Sequence, residues 1–115
     1  EPYVYSQTIA GRDAKHYGRA KNSWLTGTAA WTFVALSQGL FGIIPDFEGL
    51  RINPCLPENL KEFSAVRHFR DVTYNITAKT IKDNKEGLFV DGKRLKDNLI
   101  PYSDKNKIVN VELYY

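Results

Sequence analysis

The residues KNSWLTGTAAW, from Lys21 to Trp31, set Ser23, Thr26, Gly27 and Thr28 between the chain's two tryptophans, Trp24 and Trp31. Hydroxyls and a bare glycine ahead of a helical stretch suit one kind of chemistry. Such a turn offers backbone N–H groups and hydroxyl donors at the positive end of the helix dipole, and a glycine lets an anion come close to the backbone. Phosphate fits that description. The same spacing suits a well-capped helix buried in a core, with both tryptophans packed around it, and residue types alone leave the two readings open.

The element that must position this turn follows it directly. TAAWTFVALSQGLF, Thr28 to Phe41, predicts one helix, with Ser23 or Thr26 as N-cap and Gly42 as its stop before Pro45. Apolar residues cover most of its circumference, which a helix lying on the surface of a small domain does not tolerate. A second short helix is expected around Tyr3 to Ala10, with Pro2 in a first-turn position. That is too little to bury the first, so its native partners are expected outside these 115 residues. The start at Glu1-Pro2, without an initiator methionine, is read the same way, as a piece of something longer.

After Pro45 the period changes to two. VTYNITAK puts Val72, Tyr74, Ile76 and Ala78 on one face, and KIVNVELYY does the same with Val109, Val111, Leu113 and Tyr115. Asp91-Gly92 within GLFVDGKRL readily supplies the positive φ angles of a hairpin turn. Further strands are expected at Leu50 to Ile52, Ala65 to Arg70 and Leu99 to Ile100, and the spacing predicts an antiparallel sandwich.

Composition excludes several functions. Residues 1–45 hold four basic and two acidic groups and residues 46–115 twelve and eleven, so no basic block argues for nucleic acid despite the net charge of +3. No apolar run approaches the roughly 20 residues of a membrane helix. The lone Cys55 allows no internal disulfide and fits a reducing, cytoplasmic setting. His16 and His68 lack neighbours at ligand spacing, so no metal site is expected. Asn75-Ile76-Thr77 reads as a chance sequon.

EPYVYSQTIAG and AKNSWLTGTAAW, followed by GLRINPCLP and HFRDVTYNI, resemble the C-terminal end of the inverting disaccharide phosphorylases of the cellobiose and chitobiose type. The resemblance covers essentially the whole chain, and its first two blocks are the specific ones. It implies an α+β chain: one or two helices from the end of an (α/α)6 barrel in residues 1–44, then a small antiparallel β-sandwich in residues 45–115. It also implies phosphorolysis with inversion. Inorganic phosphate, a co-substrate rather than a cofactor, attacks the anomeric carbon while an aspartic acid protonates the leaving oxygen, the geometry of an inverting glycosidase with phosphate in place of water.

By the same resemblance Thr26 and Gly27 match the phosphate-binding pair, Thr26 through hydroxyl and backbone and Gly27 through its N–H. Gln7 matches a glutamine that hydrogen-bonds the sugar; without the resemblance it reads as a solvent-facing helix residue. Glu1, Tyr3 and Tyr5 either line that sugar site or pack in the core. The aspartic acid, a histidine and an arginine of the family lie upstream, so none of Asp13, Asp46 and Asp71 takes the acid's role, no catalytic residue is expected here, and the chain alone is expected to be inert. The partners implied are that N-terminal catalytic portion, a disaccharide, most nearly of the cellobiose type, and phosphate, within an enzyme that in this family is often a homodimer. The competing class is a non-catalytic β-sandwich that binds carbohydrate through Tyr102, Tyr114 and Tyr115, which leaves KNSWLTGTAAW unexplained.

Overall fold

The computed structural model describes residues 4–23, 27–81, 86–102 and 107–115. The chain divides into two compact units, Glu1–Leu36 and Ser37–Tyr115.

The first unit opens with a hairpin rather than a helix. Thr8–Ile9 (β1) pairs antiparallel with Ala20–Lys21 (β2), with Thr8 opposite Lys21 and Ile9 opposite Ala20. The helix expected from Tyr3 to Ala10 is therefore corrected over its described residues. Two β-branched residues in succession lean toward the extended backbone, and β2 supplies the hydrogen-bonding partner that a sequence window does not show. An α-helix follows at Thr28–Val34 (α1). Its N-cap is Gly27, with no side-chain cap bond, so Ser23 does not cap it; Thr26, the other candidate, lies outside the described residues. None of its residues is buried: Trp31 is 73% and Phe33 61% exposed, on the very helix whose composition demands burial.

The run from Thr28 is not one regular helix. Beyond Val34 it widens into a π-helix, Ala35–Leu40, over a stretch that carries the poor helix formers Ser37 and Gly39. It ends as expected at Gly42, at φ +62°. The Cys55 N–H donates to the carbonyl of Leu40 at 2.9 Å, and the Asn53 N–H to that of Gly42 at 2.9 Å, so carbonyls left open at the end of the run are satisfied.

The second unit holds the buried core. Ile43–Pro45 (β3), Gly49–Ile52 (β4) and Leu99–Pro101 (β9) form a three-stranded sheet. Glu62–Phe69 (β5), Val72–Lys79 (β6), Gly87–Val90 (β7), Lys93–Arg94 (β8) and Ile108–Tyr114 (β10) form a five-stranded sheet in the order β5-β6-β10-β7-β8. Ile43, Leu50, Ile52 and Ile100 from the first sheet join Val72, Tyr74, Ile76, Leu88, Val109 and Val111 from the second in one buried cluster, the inside of a sandwich.

One expectation about the sheets is corrected. β10 pairs with β6 in parallel, with Val109 opposite Tyr74 and Val111 opposite Ile76, while the other described pairs are antiparallel. Alternation specifies which face a strand buries and carries no information on its direction. The long connection from residue 80 to residue 107 gives the chain length to cross over, as a parallel neighbour requires. The hairpin at Asp91-Gly92 is present, with both residues at positive φ, and Arg70-Asp71 makes a second two-residue turn of the same kind between β5 and β6. At the β3–β4 turn Arg51 donates to Asp46 at 2.8 Å, and that bond, helped by the Glu48 N–H, holds the Asp46 carboxyl below its usual range. Among the described residues no helix is long and apolar enough to cross a membrane.

Candidate functional site

Antiparallel pairing at the start of the chain joins the two segments that carry the candidate residues. The Gln7 N–H donates to the carbonyls of Lys21 and Asn22, at 3.1 and 3.3 Å. The Asn22 side-chain amide donates to Gln7 Oε1 at 3.3 Å. Gln7 is therefore a solvent-facing residue ahead of β1, not of a helix, and among the described residues its amide nitrogen has no hydrogen-bond partner, leaving a donor for a ligand.

Asn22 was not singled out by its sequence context. Its φ of +58° puts it in the left-handed region, which asparagine tolerates better than most residues. The asparagine just ahead of Ser23 in KNSW was the available signal. Its left-handed backbone follows directly on β2, and its side chain holds Gln7.

Thr26 lies outside the described residues, as do Glu1 and Tyr3. Gly27 is exposed, and its carbonyl accepts from the Trp31 N–H at 3.1 Å in the first turn of α1. Its φ of −78° is open to any residue. A Cβ placed there would meet only the edge of the Trp31 indole, at 3.6 and 3.8 Å, which is ordinary contact. Nothing in the described packing of this chain thus requires a glycine at 27. Tyr5 is 47% exposed, outside any core, and with Val4, Ala29, Thr32, Phe33 and Leu36 it lines an apolar groove along α1.

The tyrosines of the competing reading sit in the second unit and are not a free aromatic platform. The Arg70 guanidinium lies over the Tyr102 ring at 4.5 Å from its centre and beside Phe69 at 5.1 Å, so a face of Tyr102 is already covered. Tyr114 is half-buried with its ring edge-on to Phe89 at 5.7 Å. Tyr115 packs on the core, with its hydroxyl buried. Elsewhere, His16 is exposed in the β1–β2 loop, and His68 shares a 3.0 Å hydrogen bond with Thr73 on the outer sheet face. Cys55 is exposed.

Comparison with known proteins adds a second line of observation. Residues 1–42 match the catalytic domain of the glycosyl hydrolase 94 superfamily, so the matched stretch closes at Gly42, the glycine that ends the helical run. The chain is 42% identical to an N,N'-diacetylchitobiose phosphorylase of Vibrio proteolyticus over 76 residues, 66% of this chain and 10% of that protein. It is 32% identical to an N,N'-diacetylchitobiose phosphorylase of Vibrio furnissii over 112 residues, 94% of this chain and 14% of the relative. With a solabiose phosphorylase of Paenibacillus borealis it shares 34% identity over 104 residues, 88% of this chain and 14% of the relative. The chain thus spans only 10% to 14% of the length of these three relatives.

Proposed function

We propose that this chain, which belongs to the glycosyl hydrolase 94 superfamily, is the C-terminal part of a cytoplasmic phosphorylase that cleaves a β-linked disaccharide with inorganic phosphate. In this reading phosphate attacks the anomeric carbon from the face opposite the leaving sugar, and inversion yields an α-sugar 1-phosphate and a free sugar. The acid that protonates the leaving oxygen comes from the catalytic portion that precedes residue 1. This chain contributes the phosphate cradle and one sugar contact, and its sandwich buttresses the helical barrel. Cellobiose is the substrate we assign first, with N,N'-diacetylchitobiose, named in two of the relatives, as the competitor to assay beside it.

The observation that carries the reading is the pairing of Gln7 with Lys21 and Asn22. It brings the YSQ segment, assigned to the sugar, beside Asn22, the first residue of the NSWLTG segment assigned to phosphate, and in phosphorolysis those two ligands must meet. Thr26 gives its hydroxyl and backbone to the anion and Gly27 its N–H, neutral donors that hold phosphate without quenching it as a nucleophile. Among the described residues there is no packing reason for glycine at 27, which supports this, because an open face there serves a ligand rather than the fold. The exposed apolar groove along α1 supports a barrel that closes over it. A sugar-binding module is disfavoured because Arg70 occupies a face of Tyr102, Tyr114 is edge-on to Phe89 and Tyr115 packs on the core.

In the enzyme joined to its preceding portion, Thr26→Val is expected to raise the KM for phosphate about tenfold or more, the cost of one hydrogen bond to a charged group. The KM for the disaccharide should move far less. Equal effects on the two substrates would remove phosphate from Thr26. The 115 residues by themselves are expected to release no sugar 1-phosphate from cellobiose and phosphate. Turnover by the purified chain contradicts the division of labour set out above.

A further inference from the structure

We infer that Asn22 is a specificity-determining positioning residue: it fixes the Gln7 carboxamide with its nitrogen outward, so that the sugar is recognised there through a group that accepts a hydrogen bond. The inference rests on the phosphorylase reading, in which Gln7 is the sugar contact, and adds the residue that decides how Gln7 makes that contact.

Gln7 is gripped at both ends by one short segment. Its N–H donates to the carbonyls of Lys21 and Asn22, at 3.1 and 3.3 Å, immediately before β1 begins at Thr8. At the far end of its side chain, Oε1 accepts from the Asn22 amide at 3.3 Å. Both residues are exposed, so this bond rather than close packing restrains the side chain. Glutamine has much rotamer freedom to lose, and holding it in place before the sugar arrives leaves less to be lost on binding.

The direction of the bond sets the chemistry. A carboxamide has an accepting end and a donating end, and an asparagine that donates to the first leaves the second facing outward. With Oε1 engaged by Asn22, Gln7 offers Nε2, a donor that has no partner among the described residues. Turning the Gln7 amide over would set its N–H groups against those of Asn22, so Asn22 and not the ligand selects the orientation. A sugar hydroxyl, which both donates and accepts, satisfies either end of a carboxamide, whereas a substituent that only accepts is satisfied by Nε2 alone. The ligand class is therefore a sugar that places an oxygen acceptor at Gln7, groups unable to donate included. Asn22 has φ +58°, a conformation that glycine and aspartate also tolerate, and this allows its side chain to be exchanged without straining the backbone.

The test uses the enzyme with its preceding catalytic portion at saturating phosphate. The substrate is cellobiose or N,N'-diacetylchitobiose, whichever is cleaved faster, beside analogues in which fluorine, which cannot donate, replaces one hydroxyl at a time. Asn22→Asp accepts where asparagine donates, so it turns the Gln7 amide over and presents Oε1. At the contacted position the ratio of kcat/KM for the hydroxyl substrate to that for its fluoro analogue should rise about five- to fiftyfold over the unaltered enzyme, because two acceptors then face each other. At the other positions the ratio should not move. Taking each variant's own ratio cancels the effect of fluorine on the reaction and of the added charge on phosphate. Asn22→Gly keeps the left-handed backbone and removes only the side-chain bond, so its ratio at the contacted position should fall between the two. An Asn22→Asp ratio unchanged at every position overturns the inference, because Gln7 would then face Asn22 through its nitrogen or not be oriented by it at all. A uniform loss on all substrates in both variants overturns it too, since residue 22 would then only support the fold. If the unaltered enzyme performs no phosphorolysis, the proposed function falls and takes this inference with it; phosphorolysis with ratios insensitive to residue 22 sinks the positioning role alone.

Discussion

Gly42→Ala is expected to destabilise the Ser37–Tyr115 unit by about 2 to 5 kcal/mol, a large share of the 5 to 15 kcal/mol typical of a whole small domain. Two costs add. At φ +62° an L-residue loses roughly 1 to 2 kcal/mol relative to its right-handed conformation. The new methyl would also fall on the carbonyl of Asn53 and the nitrogen of Pro54, backbone atoms that cannot turn aside as a side chain can. Relief by backbone movement would break the bond from Asn53 N–H to the Gly42 carbonyl, and overpacking of this kind costs about 1 to 3 kcal/mol. Gly39→Ala is the matched control. A Cβ there has nothing within 4 Å, and alanine in a helical run is worth about 0.5 to 1 kcal/mol over glycine, so the variant should be neutral or slightly stabilising. Urea unfolding of both variants decides the matter: midpoints that shift alike would show that residue 42 is limited by helix propensity and not by the close passage of the 53–54 backbone.

That contrast also marks where the sequence was legible. Gly42 could be read as a helix stop because φ sign and side-chain absence are local properties. The same holds for Asp91-Gly92 and for the buried faces of β6 and β10, whose alternation is written residue by residue. The direction of β10 was not legible, because a strand with one apolar face reads the same whichever way its neighbour runs. Nor was the β1–β2 pairing. Each of those strands has two residues, far below the length at which a period can be recognised, and they meet across a ten-residue loop.

The candidate site was legible in a different sense. Gln7, Thr26 and Gly27 came from the resemblance of long sequence blocks, not from spacing, and the structure adds how Gln7 is held. Asn22 escaped because its task depends on a left-handed backbone and on a partner fifteen residues away.

Tyr74→Ala should cost the sandwich still more, about 3 to 5 kcal/mol, the usual range for removing a buried aromatic ring. Tyr74 is 2% exposed, is the largest of the fully buried side chains, and stands on β6 between Arg67 of β5 and Val109 of β10. Its ring belongs to the buried cluster shared by the two sheets, and β5 and β10, held in register on either side of β6, cannot move to fill the vacated space without breaking that register. Tyr74→Phe keeps the ring and separates packing from the hydroxyl, so its loss should be a small fraction of the alanine value. The phenol adds a pH signature. Burial raises its ionisation above the ordinary value of 10.0, outweighing the opposite pull of the Arg70 charge. A raised folded value means that the contribution is complete below about pH 10 and is lost as the pH climbs through the folded ionisation. Stability of the unaltered protein should thus fall at strongly alkaline pH by more than that of Tyr74→Phe, which has no phenol to ionise. Urea midpoints between pH 8 and 11 measure both effects at once, and an alanine variant as stable as the tyrosine protein would mean that β6 is not the centre of this core.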